Sequence, residues 1–332
     1  MVAPRLPGTS ELAPGLALAA GGGAVALGAH AVVPALSPTL VAIVLGVALA
    51  AGGGVGERLR PGLGVASRRV LRVGVALLGL QLALPQILAL GWPVLVVVVG
   101  VVGLGITLTL ALARWLGVPG DTALLVACGF SICGAAAVVA VDGVRRPRSR
   151  GPDGAAAAVS LVVVFGSVAM LLIPALAGLA GFDQVAAGAW SGASIHEVGQ
   201  VVVAGGLVGA AAVPVAVAVK LARVLLLAPV LAVLAARTRR TEAVGARPPL
   251  VPAFVAAFLG CVLVRTLLPV PTAVLDVAAL VQAGTLAAAM FALGCALEPA
   301  VLRRTGAPLL LLAAGATVLV SLLGLPAAFV AG

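Results

Sequence analysis

Charge is what this sequence has least of. Asp, Glu, Lys and Arg make up 9% of its 332 residues, and lysine occurs once, as Lys220. Tyrosine is absent and aromatic residues reach only 3%. A soluble globular domain needs about a quarter of its residues charged to coat its surface, so that class is excluded. Outer-membrane barrels carry aromatic girdles and alternate polar and apolar residues in strands of about ten, so the aromatic shortage and the long unbroken apolar runs exclude them too. The four cysteines, Cys128, Cys133, Cys261 and Cys295, all fall inside apolar segments. A disulfide framework is therefore not expected. There is no nucleotide-binding phosphate loop.

What is present is apolar: 63% of residues are hydrophobic and the mean hydropathy is +1.28. Uncharged runs of twenty residues or more recur, the length that crosses about 30 Å of hydrocarbon as a helix. Eleven segments can be marked, at 12–35, 38–55, 69–91, 93–116, 121–144, 154–178, 184–208, 209–235, 250–268, 273–298 and 306–330. The expected fold is an all-α polytopic membrane protein of about 9–11 membrane segments, forming one transmembrane transporter domain over 1–332. The N-terminal stretch, with only Arg5 and Glu11 ahead of its apolar run, reads as a first span rather than a cleaved signal.

The formal net charge of +10 does not point to nucleic acid. Sixteen of the twenty basic residues sit in five places: Arg5; Arg58, Arg60, Arg68, Arg69 and Arg72; Arg145, Arg146, Arg148 and Arg150; Arg237, Arg239, Arg240 and Arg247; and Arg303 with Arg304. Basic connections of this kind mark cytoplasmic ends, and with an arginine-rich, single-lysine composition that points to a GC-rich bacterial source, the expected location is a bacterial inner membrane, as a multi-pass protein.

Two internal similarities stand out. Gly79, Pro85, Gly91 and Pro93 are echoed by Gly294, Pro299, Gly306 and Pro308. Gly129-Phe130-Ser131-Ile132 precedes Val138-Val139 at the spacing at which Gly192-Ala193-Ser194-Ile195 precedes Val201-Val202. If the loops 57–72, 142–153 and 237–247 are all cytoplasmic, each successive pair encloses three segments, so one of each trio must fail to cross. The two Gly-x-Ser-Ile segments are the candidates for broken or re-entrant helices, which lipid tolerates only where they are buried in protein or line a cavity. Related elements entering from opposite faces form an inverted repeat of the transporter kind. The competing count is eleven full crossings with one basic loop misplaced.

Glu197, Lys220 and Arg223 fall mid-segment, where insertion scales assign about 2.5–3.5 kcal/mol each. They are expected to face a polar interior. Lys220 and Arg223 are three apart and share a helix face, offering two charges to one anion. His196 and Gln200 share another face, with Glu197 beside them; a structural ion pair between Glu197 and Lys220 or Arg223 is the alternative. Ser131 and Ser194 add hydroxyls where half-helices are expected to start, and such starts attract anions. Enzyme signatures fail: His196-Glu197-Val198-Gly199-Gln200 lacks the second histidine of a zinc-protease helix, and neither serine lies in Gly-x-Ser-x-Gly. No catalytic activity, metal or cofactor is expected.

Ser131-Ile132-Cys133-Gly134-Ala135, then Ser194-Ile195-His196-Glu197-Val198-Gly199-Gln200-Val201, then Lys220-Leu221-Ala222-Arg223-Val224-Leu225-Leu226-Leu227-Ala228-Pro229 together resemble the YeiH-type sulfate exporter family over nearly the whole chain. That family is distantly similar to the cation/proton antiporter and bile-acid symporter superfamily, in which inverted repeats bring broken, crossing helices to the substrate site. The resemblance implies a secondary transporter exporting a small anion, sulfate or a sulfonate, by alternating access. Its substrate-binding residues would be Ser131, Cys133, Gly134, Ser194, Lys220 and Arg223. His196, Glu197 and Gln200 would couple transport to a proton or sodium ion. The expected partners are that anion, the coupling ion, the lipid bilayer and a second copy of the chain in a homo-oligomer. The alternative is a transporter or channel for another solute, with the intramembrane charges serving coupling or structure.

Overall fold

Long apolar runs free of charge leave the backbone no partner but itself, and helices are the result. The computed structural model describes residues 9–33, 36, 38–53, 55–82, 84–144, 153–241, 253–296 and 306–331. Every element among them is helical. In chain order these are α1 (Thr9–Val32), α2 (Pro38–Ala51), α3 (Arg60–Val65), a π-helical turn (Ala66–Val70), α4 (Leu71–Leu78), a 3-10 turn (Gly79–Gln81), α5 (Leu84–Leu88) and α6 (Trp92–Trp115). There follow α7 (Gly120–Ser131), α8 (Ala135–Val144), α9 (Asp153–Leu179), α10 (Gln184–Ser194), α11 (Val198–Val208), α12 (Ala212–Leu225) and α13 (Leu227–Thr241). The chain ends with α14 (Ala253–Leu267), α15 (Thr272–Ala296), α16 (Ala307–Gly324) and α17 (Pro326–Ala331). Six stretches among the described residues are long and apolar enough to cross a bilayer. Shorter apolar helices fill the remaining segments.

The chain divides into two compact units, Met1–Leu78 with Pro271–Arg303, and Gly79–Val270 with Arg304–Gly332. In the first, α15 packs on α1, α2 and α4. Its Phe291 and Ala288 lie against Gly22 and Gly23 of α1, where a side chain would collide. The second unit holds α5 to α14, α16 and α17, and its polarity is the reverse of a soluble protein's. Val96 and Val99 of α6 are 60% and 57% exposed, and Leu171 of α9 is 60% exposed, while Lys220 and Arg223 are wholly buried. Exposed Trp92 and Trp115 bracket α6 at its two ends. They are about 35 Å apart at the helical rise, the spacing of interfacial aromatic anchors on either side of a bilayer.

Both Gly-x-Ser-Ile segments are interrupted, as their sequence suggests, but by different backbone routes. The first passes through Gly134 at φ +73, a left-handed conformation that side chains disfavour. The second runs through an extended stretch, Ile195 at ψ 149 and Glu197 at φ −115, ψ 150, which needs no glycine. The other repeated pair diverges further. The segment at 69–91 breaks into α4, the 3-10 turn and α5, whereas α15 continues unbroken through Gly294. Pro85 accounts for part of this, since it has no N–H to continue the helix from Gln81 and is tolerated only in the first turn of α5. Pro299 of the second copy lies outside the described residues.

The basic groups at Arg145–Arg150, Arg247 and Arg303–Arg304 also lie outside the described residues. Their sidedness is testable. A reporter active only in the periplasm, fused within the 145–150 loop, is expected to stay silent; a strong signal would overturn the cytoplasmic assignment and the argument that one segment of each trio fails to cross.

Candidate functional site

A helix leaves its last four carbonyls and first four amides without helical partners, so two interrupted helices create four sets of such groups inside the protein. At the end of α7, the Cys128 carbonyl accepts from Ile132 N–H at 3.0 Å and the Gly129 carbonyl from Gly134 N–H at 2.8 Å. The next two, Phe130 and Ser131, accept from Arg223: Nη2 donates to them at 3.0 and 2.9 Å, and Nε donates to Ser131 at 3.2 Å. The end of α10 is closed in the same way. Ser191 accepts from Ile195 N–H, and Arg223 Nη1 donates to the carbonyls of Gly192, Ala193 and Ile195 at 3.2, 2.8 and 3.1 Å. Lys220 Nζ donates to Ile132 and Ile195, one carbonyl from each break, at 2.7 and 2.9 Å. One face of α12 thus joins both helix ends, and its two cations sit where two negative dipole ends converge.

This arrangement places Ser131 and Ser194 last in α7 and α10, not first in half-helices as the sequence alone implied. The starts are Ala135 and Val198, and there the counter-charge is reversed. The Glu197 side chain accepts from Ala135 N–H of α8 at 3.4 Å. It also forms a reciprocal capping box with Gln200 at the start of its own α11, in which Glu197 N–H donates to Gln200 Oε1 at 3.2 Å. Gln200 is held in turn by α9, donating from Nε2 to the Val163 carbonyl at 3.2 Å and to Ser167 Oγ at 3.3 Å. Gly134 makes room for this link, because a Cβ there would lie 2.6 Å from Glu197 Cγ.

His196 is wholly buried, with its ring 4.6 Å from that of Phe130. Its Nε2 lies 3.2 Å from Thr317 Oγ1 on α16. Since the Thr317 hydroxyl donates to the Ala313 carbonyl at 2.9 Å, the histidine is the donor in that pair. His196 Nδ1 and Ser131 Oγ are buried without a hydrogen-bond partner among the described residues. Ser194 Oγ makes a long 3.5 Å contact to the Ser321 carbonyl, and Cys133 is 7% exposed within the first break. The approach of α10 to α12 depends on small residues, Gly188 and Gly192 against Ala212 and Ala216; a methyl at Gly188 would come within 2.6 Å of the Ala212 carbonyl oxygen. All nine residues singled out by sequence therefore gather around the two breaks and α12. Thr317, the carbonyl acceptors and the Ala135 amide were not legible in the sequence, because a threonine or a backbone group on an apolar helix carries no distinguishing pattern.

Comparison with known proteins agrees with a membrane protein of this kind. A family described as "Conserved hypothetical protein 698" matches residues 14–313. A UPF0324 membrane protein of Corynebacterium glutamicum is 43% identical over 293 residues, 87% of this chain and 84% of that one. The chain belongs to the UPF0324 membrane protein family. A UPF0324 relative in Bordetella bronchiseptica is 40% identical over 254 residues, 74% of this chain and 78% of its own. The UPF0324 membrane protein TauZ of Paracoccus pantotrophus is 39% identical over 290 residues, covering 86% and 85%. No solved structure matches.

Within this UPF0324 protein the two breaks share a guanidinium, which predicts a crosslink. With the native cysteines replaced by alanine, Ser131→Cys and Ser194→Cys together should be bridged by a short bifunctional thiol reagent. Failure to crosslink in the membrane would separate the two breaks.

Proposed function

We propose that this chain is a secondary active transporter that exports a small anion, sulfate or a sulfonate, across the bacterial inner membrane by alternating access, coupled to a proton or sodium ion. The observation that carries this reading is the meeting of two interrupted helices at one wholly buried cationic face, Lys220 and Arg223 of α12. Interrupted helices deep in a membrane protein supply backbone groups for a solute where continuous helices supply none. The resemblance to the YeiH-type sulfate exporters and, at a distance, to the antiporter and bile-acid symporter superfamily supports the same reading. No enzymatic step is proposed.

One observation favours a second reading. Both cations donate to backbone carbonyls, so they brace the breaks, and in a transporter or channel for another solute that would be their whole role. Purified protein in liposomes, loaded with labelled sulfate under imposed pH or sodium gradients, distinguishes the two. Saturable, gradient-driven sulfate flux reduced by competing sulfonates is the expected result. Absence of sulfate flux, with another solute moving, would establish the second reading.

A further inference from the structure

The amides of two half-helix starts are already aimed at a negative charge, and it belongs to the protein. The Glu197 carboxylate, 7% exposed, accepts from the first amide of α8 and caps α11. Among the described residues, the charged and titratable groups around it include Lys220 and Arg223 on α12, Cys133 in the first break, and His196 beside it; α9 and α16 contribute uncharged Ser167 and Thr317.

A count of charge gives this placement a consequence. The helix ends contribute about half a negative charge each from α7 and α10 and half a positive charge each from α8 and α11, and these cancel. The side chains do not cancel. Lys220 and Arg223 against ionised Glu197 leave one net positive charge, and against protonated Glu197 they leave two. In a buried site an uncompensated charge is costly, so the charge of a bound anion should match what the protein leaves over. Ser131 Oγ and His196 Nδ1, buried at the same junction without a hydrogen-bond partner among the described residues, are further groups that a ligand would satisfy.

We infer that Glu197 is a tethered carboxylate supplying one of the two negative charges this junction holds, so that a monovalent sulfonate binds beside ionised Glu197 while a divalent oxyanion takes the place of its carboxylate and binds together with one proton on Glu197. The inference rests on the anion-transport reading above. On protonation the carboxylate becomes a neutral acid and releases the Ala135 and Gln200 amides. Two oxygens of the incoming dianion accept those amides, and the site holds two positive and two negative charges.

Purified full-length protein in weakly buffered detergent solution tests this, with sulfate and methanesulfonate as probes. Sulfate is expected to bind with uptake of about one proton, its affinity falling about tenfold per pH unit on the alkaline side of the Glu197 titration. Methanesulfonate should bind with no proton uptake and a flat pH profile. In Glu197→Gln, an isosteric change that removes the charge and, like the protonated acid, leaves the Ala135 amide to the dianion, sulfate should bind with no proton uptake and no pH dependence. The proton count on the native protein stands even if that variant fails to fold. Sulfate binding without proton uptake, or equal uptake with methanesulfonate, overturns the inference and leaves anion transport standing. If neither anion binds to folded protein between about pH 3.5 and 8, a range spanning the usual carboxylate and histidine titrations, both fall.

Discussion

Arg223→Gln is expected to yield no stable folded protein. Among the described hydrogen bonds, the carbonyls of Phe130, Ser131, Gly192 and Ala193 accept only from Arg223 outside their own helices, and they lie at the ends of α7 and α10 where helical donors run out. Each buried polar group left unsatisfied costs about 1–3 kcal/mol, so losing four approaches 10 kcal/mol, comparable with the whole stability of a typical protein. A glutamine amide is too short and has too few donors to reach both helix ends. Arg223→Lys retains the charge but lacks the planar fork, and should rescue in part. Size-exclusion profiles and thermal unfolding in detergent measure this. A monodisperse Arg223→Gln protein melting with the native one would mean the breaks are held by something else.

Lys220→Gln should separate folding from function. Its amide, one bond shorter, keeps N–H donors directed toward the Ile132 and Ile195 carbonyls, and Arg223 still closes both helix ends, so the breaks are expected to stay closed while the charge is gone. An anion about 6 Å from the ammonium, at an effective dielectric constant of about 20, loses about 3 kcal/mol of attraction, or about a hundredfold in affinity. Labelled sulfate binding to purified Lys220→Gln, with Lys220→Arg as the charge-retaining control, reads this directly. Unchanged sulfate affinity in a folded variant would place the anion away from α12.

Much of the architecture was legible beforehand because hydropathy is local. Apolar length marked the segments, and the intramembrane charges Glu197, Lys220 and Arg223 announced a buried polar junction, because lipid would not tolerate them. The two Gly-x-Ser-Ile motifs located both interruptions to within a few residues. The same reasoning misjudged the ends. It made the serines the starts of half-helices and pictured amide groups around Lys220 and Arg223, whereas those cations meet carbonyls and the amides begin at Ala135 and Val198.

By itself, then, the sequence determined the all-α membrane class, the number and rough limits of the apolar segments, and which residues must avoid lipid. Each of these follows from composition within a window of twenty residues. The tertiary structure decided the polarity of the junction: which helix ends face the cations, that one guanidinium closes both, and that Glu197 reaches across to α8 from the other break. These depend on the turn that Gly134 makes at positive φ, on the extended stretch at Ile195–Glu197, and on contacts between residues 28 to 93 positions apart. No periodicity along the chain encodes partners at that separation; the need to satisfy every buried backbone group selects them once the helices pack.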